Sequence, residues 1–137
     1  MIEIEKSVGF LLAKAYQRAC AIFKERFDAY DLTPQQFGLL GFLWQRDGQS
    51  QAELSHRSQI DRTTMGGLVD RLEKEGLVQR SPHPEDRRAY QIFLTEKGKR
   101  LEKELTPVAA EVIKSFVSPI TAEEHGKLIE ILEKLRH

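Results

Sequence analysis

The chain has 137 residues, the size of one ordinary domain and enough to bury a core. Lys+Arg and Asp+Glu are 21 each, which excludes a broadly basic protein that coats polyanions, so any anionic partner must meet a local cluster of cations. The single cysteine, Cys20, excludes an internal disulfide framework and suits a reducing cytoplasm; the N-terminal run, cut by Lys14, Gln17 and Arg18, is neither a signal peptide nor a membrane span.

A first helix is predicted from Ser7 to about Ala29. Val8, Leu11, Leu12, Ala15, Ala19, Ile22, Phe23 and Phe27 recur there at three- and four-residue steps. Thr33-Pro34 starts a second helix, since Thr can cap and Pro suits the first helical position. It carries Phe37, Leu40, Phe42, Leu43 and Trp44 around most of its circumference, as a buried helix does. Asp47-Gly48 reads as a turn. A short third helix follows from Gln51 to Arg57, then a turn at Ser58-Gln59-Ile60 with Ile60 packing inward. Asp61 caps a fourth helix that runs to about Glu75 and stops at Gly76, with Met65, Leu68, Val69 and Leu72 as its buried stripe.

Leu77–Ser81 and Ala89–Leu94 alternate as paired strands, and Pro82 and Pro84 stiffen the loop between them. Thr95 caps a fifth helix with apolar positions through Leu101, Leu105, Val108, Val112, Ile113 and Phe116. Pro107 inside that pattern predicts a kink or short break. Pro119 ends it. Thr121 caps a last helix striped by Leu128, Ile131, Leu132 and Leu135.

The third and fourth helices together read as a helix-turn-helix, and the strands as an arm behind it. In such a pair the second helix enters the major groove of DNA and its N-terminal residues reach base edges. Those residues here are Arg62, Thr63 and Thr64, followed by Gly66, Gly67, Asp70 and Arg71. Arg can pair bidentately with guanine, and Thr can touch a base or a phosphate. Two adjacent glycines inside a helix cost roughly 1 kcal/mol each against alanine. Either close packing against a neighbouring helix or close approach of the backbone to DNA accounts for them.

Arg87 and Arg88 lie at the end of the proline-stiffened hairpin, with Arg80 on the strand leading in and His83 nearby. Arginine on such an arm can enter the minor groove, where negative potential concentrates. A solvated turn in which Asp86 pairs with an Arg is the plainer reading. Its position directly behind a helix-turn-helix favours DNA.

The runs LTPQQFGLLGFLW, QAELSHRSQIDRTTMGGLVDRLEKEGLVQR and DRRAYQIFLTEKG resemble the MarR family of bacterial winged-helix regulators. Asp86, Arg88, Leu94, Thr95 and Gly98 at their spacing are the most specific part. The resemblance spans nearly the whole chain as a single MarR-type domain, 1–137. It implies a mainly α fold with a small β-hairpin wing: a winged helix-turn-helix lobe at 33–98, with N- and C-terminal dimerisation helices at 1–30 and 99–137. It also implies a homodimer on double-stranded DNA, at a pseudo-palindromic operator. The regulator would usually be a repressor, and often a small aromatic anion binds between the dimer region and the lobe and weakens DNA affinity. The apolar stripes of the first and last helices agree, because one short chain cannot cover them. Two-fold symmetry then sets two recognition helices roughly 34 Å apart.

A ligand pocket between the first, second and fifth helices would be lined by some of Phe10, Lys14, Gln17, Phe37 and Trp44, with Lys14 or Arg18 meeting an anion. All six are equally readable as core or solvated surface. One branch of the family senses hydroperoxides through a cysteine preceding Phe-x-Leu, where this chain has Gly9. Cys20 lies about three turns further on and reads first as a buried structural cysteine, with a redox switch as the alternative. His56, His83, His125 and His137 are scattered and have no partners at zinc-ligand spacing. No phosphate loop and no nucleophile–base set is recognisable, so no cofactor or catalysis is expected. A winged helix used only for protein contact is the remaining alternative. The basic wing argues against it, since such a surface would be more apolar.

Overall fold

The computed structural model describes all of residues 1–137. Its elements in chain order are α1 (Val8–Phe27), α2 (Pro34–Gln45), β1 (Gln49–Ser50), α3 (Gln51–Ser58), α4 (Arg62–Lys74), β2 (Val78–Pro82), β3 (Tyr90–Leu94), α5 (Glu96–Phe116) and α6 (Ala122–Leu135), with single 3-10 turns on either side of α1. They fall into two compact units. One is Met1–Ala29 with Pro107–His137, and the other is Tyr30–Thr106. No helix is long and apolar enough to cross a membrane.

The second unit is a winged helix. Its α2 begins in a full capping box, in which the Thr33 hydroxyl accepts the Gln36 N–H and the Gln36 carboxamide accepts the Thr33 N–H. Its buried face, Leu39, Leu40 and Leu43, meets Leu54 of α3, Met65, Val69 and Leu72 of α4, and Val78 and Ile92 of the sheet in one core. Phe37, Phe42 and Trp44 are only half-buried, so α2 is less enclosed than its composition suggests. Asp47 and Gly48 do more than turn the chain. The Asp47 carboxylate accepts the Leu94 N–H at 2.8 Å, and Gly48 exchanges hydrogen bonds with Ile92 and Gln91.

That docking creates β1, which the sequence does not announce. The sheet is three-stranded and antiparallel in the order β1-β3-β2, with Gln49 opposite Ile92 and Val78 opposite Leu94. The arm is therefore a sheet with β3 at its centre rather than a hairpin alone. The fourth helix ends in a Schellman motif: the Leu77 N–H reaches the Leu72 carbonyl and the Gly76 N–H reaches that of Glu73. Gly76 takes φ +75, which glycine adopts without Cβ strain, and this steers the chain directly into β2.

The first unit is helical. Ser7 caps α1, Phe23 and Phe27 stack with centroids 4.1 Å apart, and Thr121 with Glu124 forms a capping box for α6. The Arg18 guanidinium donates to the Phe116 and Ser115 carbonyls at 2.7 and 3.0 Å, tying α1 to the C-terminus of α5. Cations favour such a terminus. Pro107 does not break α5, which is continuous from Glu96 to Phe116. Val8, Leu11, Leu12, Ile113, Ile129, Leu132 and Leu135 of this unit are exposed.

Candidate nucleic-acid interface

The helix-turn-helix is built from short-range signals. The Ser50 hydroxyl accepts the Glu53 N–H, and Glu53 returns a bond to the Ser50 N–H, so α3 starts at a fixed residue. Gln59 in the turn adopts φ 60, a left-handed value that reverses the chain within two residues. Asp61 then caps α4. Its carboxylate accepts the Thr64 N–H at 2.8 Å and the Thr64 hydroxyl at 2.9 Å. The Thr64 N–H holds the Asp61 carboxyl below its ordinary value.

With Met65, Leu68, Val69 and Leu72 facing the core, α4 turns Thr63, Gly67, Asp70, Arg71 and Lys74 outward. Arg62 lies at the near end of that face. Thr64 is spent on the cap. Lys74, three residues beyond Arg71, adds to this face a cation that its place near the end of the helix does not single out in the sequence. The two glycines separate in role. A side chain at Gly67 would meet nothing within 4 Å, so packing against a neighbouring helix does not explain this residue. Gly66 lies against the Gln51 carboxamide, 3.4 Å from where its Cβ would be.

The loop between β2 and β3 is compact. The His83 N–H donates to the Ala89 carbonyl, the Glu85 N–H to His83 Nδ1, and the Arg88 N–H to the Asp86 carboxylate. Asp86 thus spends itself on backbone, and its pairing with the Arg88 side chain is loose at 3.7 Å, with that side chain 94% exposed. Arg87 is exposed as well. Gln51 and Ala52 at the start of α3, Arg62, and Asp86, Arg88 and Tyr90 of the wing line a cleft of about 450 Å³. Gln51 and Ala52 are not singled out in the sequence, and the one local signal for them is the S-x-x-E capping box that sets them at the start of α3. Arg80 differs from the other wing arginines. It is mostly covered and bonded within the lobe.

The six expected ligand residues divide between the units. Phe37 and Trp44 pack edge to face in the winged helix, and the Trp44 indole donates to the Gly98 carbonyl at 2.9 Å. In the helical unit, Lys14 lies 5.4 Å above the Phe10 ring and donates to Gln17. Lys14 and Arg18 also border a groove of about 400 Å³, with Leu11, Phe116, Ile120 and Leu128 among its apolar walls. Cys20 is half-buried on α1, and its hydrogen bond with Tyr16 pushes that phenol above its ordinary value. No three His, Cys, Asp or Glu side chains are grouped to hold a metal ion.

Comparison with known proteins places this geometry. The MarR family model matches residues 32–90. The transcriptional repressor NicR of Pseudomonas putida is 37% identical over 133 residues, covering 97% of this chain and 84% of that protein. The chain belongs to the MarR family. Its structural neighbours in the family include Bordetella bronchiseptica BpsR, studied for regulation of its DNA binding by 6-hydroxynicotinic acid. That chain superposes with TM-score 0.93 at 30% identity, covering 98% of this chain and 96% of BpsR. The repressor CouR, solved on a 23-mer DNA duplex, superposes with TM-score 0.91 at 26% identity, covering 98% of this chain and 96% of that one. The winged helix-turn-helix of the MarR fold is thus shared along nearly the full length.

Proposed function

We propose that this MarR-family protein is a homodimeric repressor that binds a pseudo-palindromic operator and is released by a small aromatic carboxylate. The outward face of α4 next to the open arginines of the wing carries the reading, because CouR, of the same fold, is seen on duplex DNA. Arg62, Thr63 and Arg71 would read the major groove with Gly67 allowing close approach. Arg87 and Arg88 would meet the minor groove and its phosphates. The groove of the helical unit supports the ligand half. Arg18 is committed to backbone carbonyls, which leaves Lys14 as the cation for a carboxylate at an apolar wall. NicR is a repressor and BpsR responds to 6-hydroxynicotinic acid, so a hydroxylated heteroaromatic acid is the first class to test. Cys20 is half-buried beside the Tyr16 phenol, which is not a cation, so a redox switch has less support.

Selection of bound sequences from random duplex DNA tests the reading directly. A two-fold consensus with half-sites about one helical turn apart is expected. Arg87→Ala and Arg88→Ala should weaken binding on every sequence and each lower the salt slope by about one. Adding 6-hydroxynicotinate should weaken binding, and Lys14→Met should blunt that response roughly tenfold while sparing DNA affinity. Failure to retain any duplex at moderate salt would reject the proposal.

A further inference from the structure

Arg80 stands apart from the other arginines of the winged helix. It lies on β2, opposite Ile92 of the central strand, and its side chain is only 18% exposed. Its Nη1 reaches the Asp70 carboxylate at 2.6 Å and that of Glu73 at 3.0 Å. Nη2 donates to the Gly66 carbonyl at 3.0 Å, and Nε to the Gln51 carboxamide at 3.3 Å. Glu73 also accepts the Arg80 backbone N–H at 3.1 Å, so one carboxylate holds both the main chain and the side chain of this residue. Three elements meet at one guanidinium: the wing through β2, the recognition helix through three of its residues, and the start of α3.

Such a group has little left to offer a phosphate. A guanidinium carries five N–H donors in a rigid plane, and four interactions already occupy them here. The fork also explains an oddity of α4. Asp70 is an acid on the face that would meet phosphates, and the Arg80 cation beside it offsets the repulsion.

We infer that Arg80 is a positioning residue: it locks the wing to the recognition helix, so that the arginines of the loop and the outward face of α4 engage adjacent grooves in one fixed register. The inference rests on the DNA-binding reading above. It assigns to Arg80 and Asp70 no direct DNA contact, only the setting of an angle that other residues use.

The test compares the wild-type protein with Arg80→Gln, Glu73→Gln and the double variant. All bind one fluorescein-labelled duplex recovered by selection from random DNA, with folding followed by circular dichroism at the assay temperature. Affinity is measured against salt, and hydroxyl-radical cleavage maps protection along the duplex. Both single variants should lose about tenfold in affinity, with the double variant no worse than the single ones. The salt slope should stay at its wild-type value, because no phosphate contact has been removed. Protection at the wing positions should fade while protection opposite α4 persists. A slope lowered by about one in Arg80→Gln, with Glu73→Gln binding normally, would show a phosphate contact and overturn the inference. So would loss of protection in equal proportion everywhere, or no change at all. Should Arg80→Gln not fold, Arg80→Lys and Glu73→Gln carry the same comparison, since lysine keeps the charge but not the fork. Absence of binding by the wild type would instead reject the DNA reading itself, before any variant is made.

Discussion

At Gly98 an added methyl group would overlap the Leu77 carbonyl oxygen and lie 3.2 Å from the Leu94 side chain. The residue is buried in the first turn of α5, and its carbonyl accepts the Trp44 indole N–H. Since the obstructing atom belongs to backbone, Gly98→Ala should destabilise by about 3 kcal/mol or more, read as a lowered urea midpoint. An unchanged midpoint would mean that α5 can slide on β2. Ser55 is the opposite case. It is buried on α3, and its hydroxyl has no hydrogen-bond partner. Removing an unsatisfied buried polar group should stabilise, so Ser55→Ala is expected to gain about 1 kcal/mol. Thermal unfolding decides it, and a lower melting temperature would show that the hydroxyl does have a role.

Among the elements, the helix starts are the most local structures in the chain. Five of the six helices begin at a side-chain cap of the Ser, Thr or Asp type, and α5 is reached by the Thr95 hydroxyl, which accepts the Gly98 N–H. Two of the capping carboxylates give the lobe a dependence on acid. The Ser50 N–H, aided by the nearby Arg46 cation, holds Glu53 below its ordinary 4.5, and the Thr64 N–H holds Asp61 below 3.8. A carboxyl lowered in the folded state contributes stability above its unfolded value and loses it as the pH falls through the folded one. The urea midpoint should therefore drop between pH 5 and pH 3, roughly the range of unfolded carboxyl values. Glu53→Gln should flatten part of that drop, and an equally steep curve would remove Glu53 from the account.

The same locality decides what the sequence could reveal. Caps, glycine stops and apolar stripes act within a few residues, so Thr33, Asp61, Gly76 and Thr121 marked their helices correctly. The strand β1 escaped because it is two residues long and exists only through pairing with Ile92 and Gln91, far along the chain. Of the kink or short break expected at Pro107, the break did not appear, because proline removes one donor and a long helix can absorb that loss. At the interface, the exposed arginines of the loop could be read from composition and turn chemistry. The engagement of Arg80 could not, since three of its partners, Gly66, Asp70 and Glu73, lie on another element.

At the scale of the whole molecule, the exposed apolar residues concentrate in the helical unit. Leu11, Leu12, Ile129, Leu132 and Leu135 lie on α1 and α6, and Ile113 on α5. Apolar side chains at helical spacing on three helices of one unit are the surface a second copy would cover. Leu132→Asp should turn the proposed dimer into a monomer in sedimentation experiments and weaken DNA binding, because a single lobe would meet only half of the proposed palindrome. A dimer undisturbed by Leu132→Asp and by Leu11→Asp would place the contact elsewhere.

The pairing of Gln49 with Ile92 encloses everything between them. Both α3 and α4 lie inside that loop of chain, with β2 on the far side of the same central strand. The helices cannot come apart without unzipping the sheet that brackets them, and the sheet cannot open without releasing the turn at Asp47-Gly48. Helix-turn-helix and wing should therefore open and close as a single foldon, with their amide protons exchanging together. On the proposed binding to adjacent grooves, opening of either element in the wild-type protein would release both from DNA.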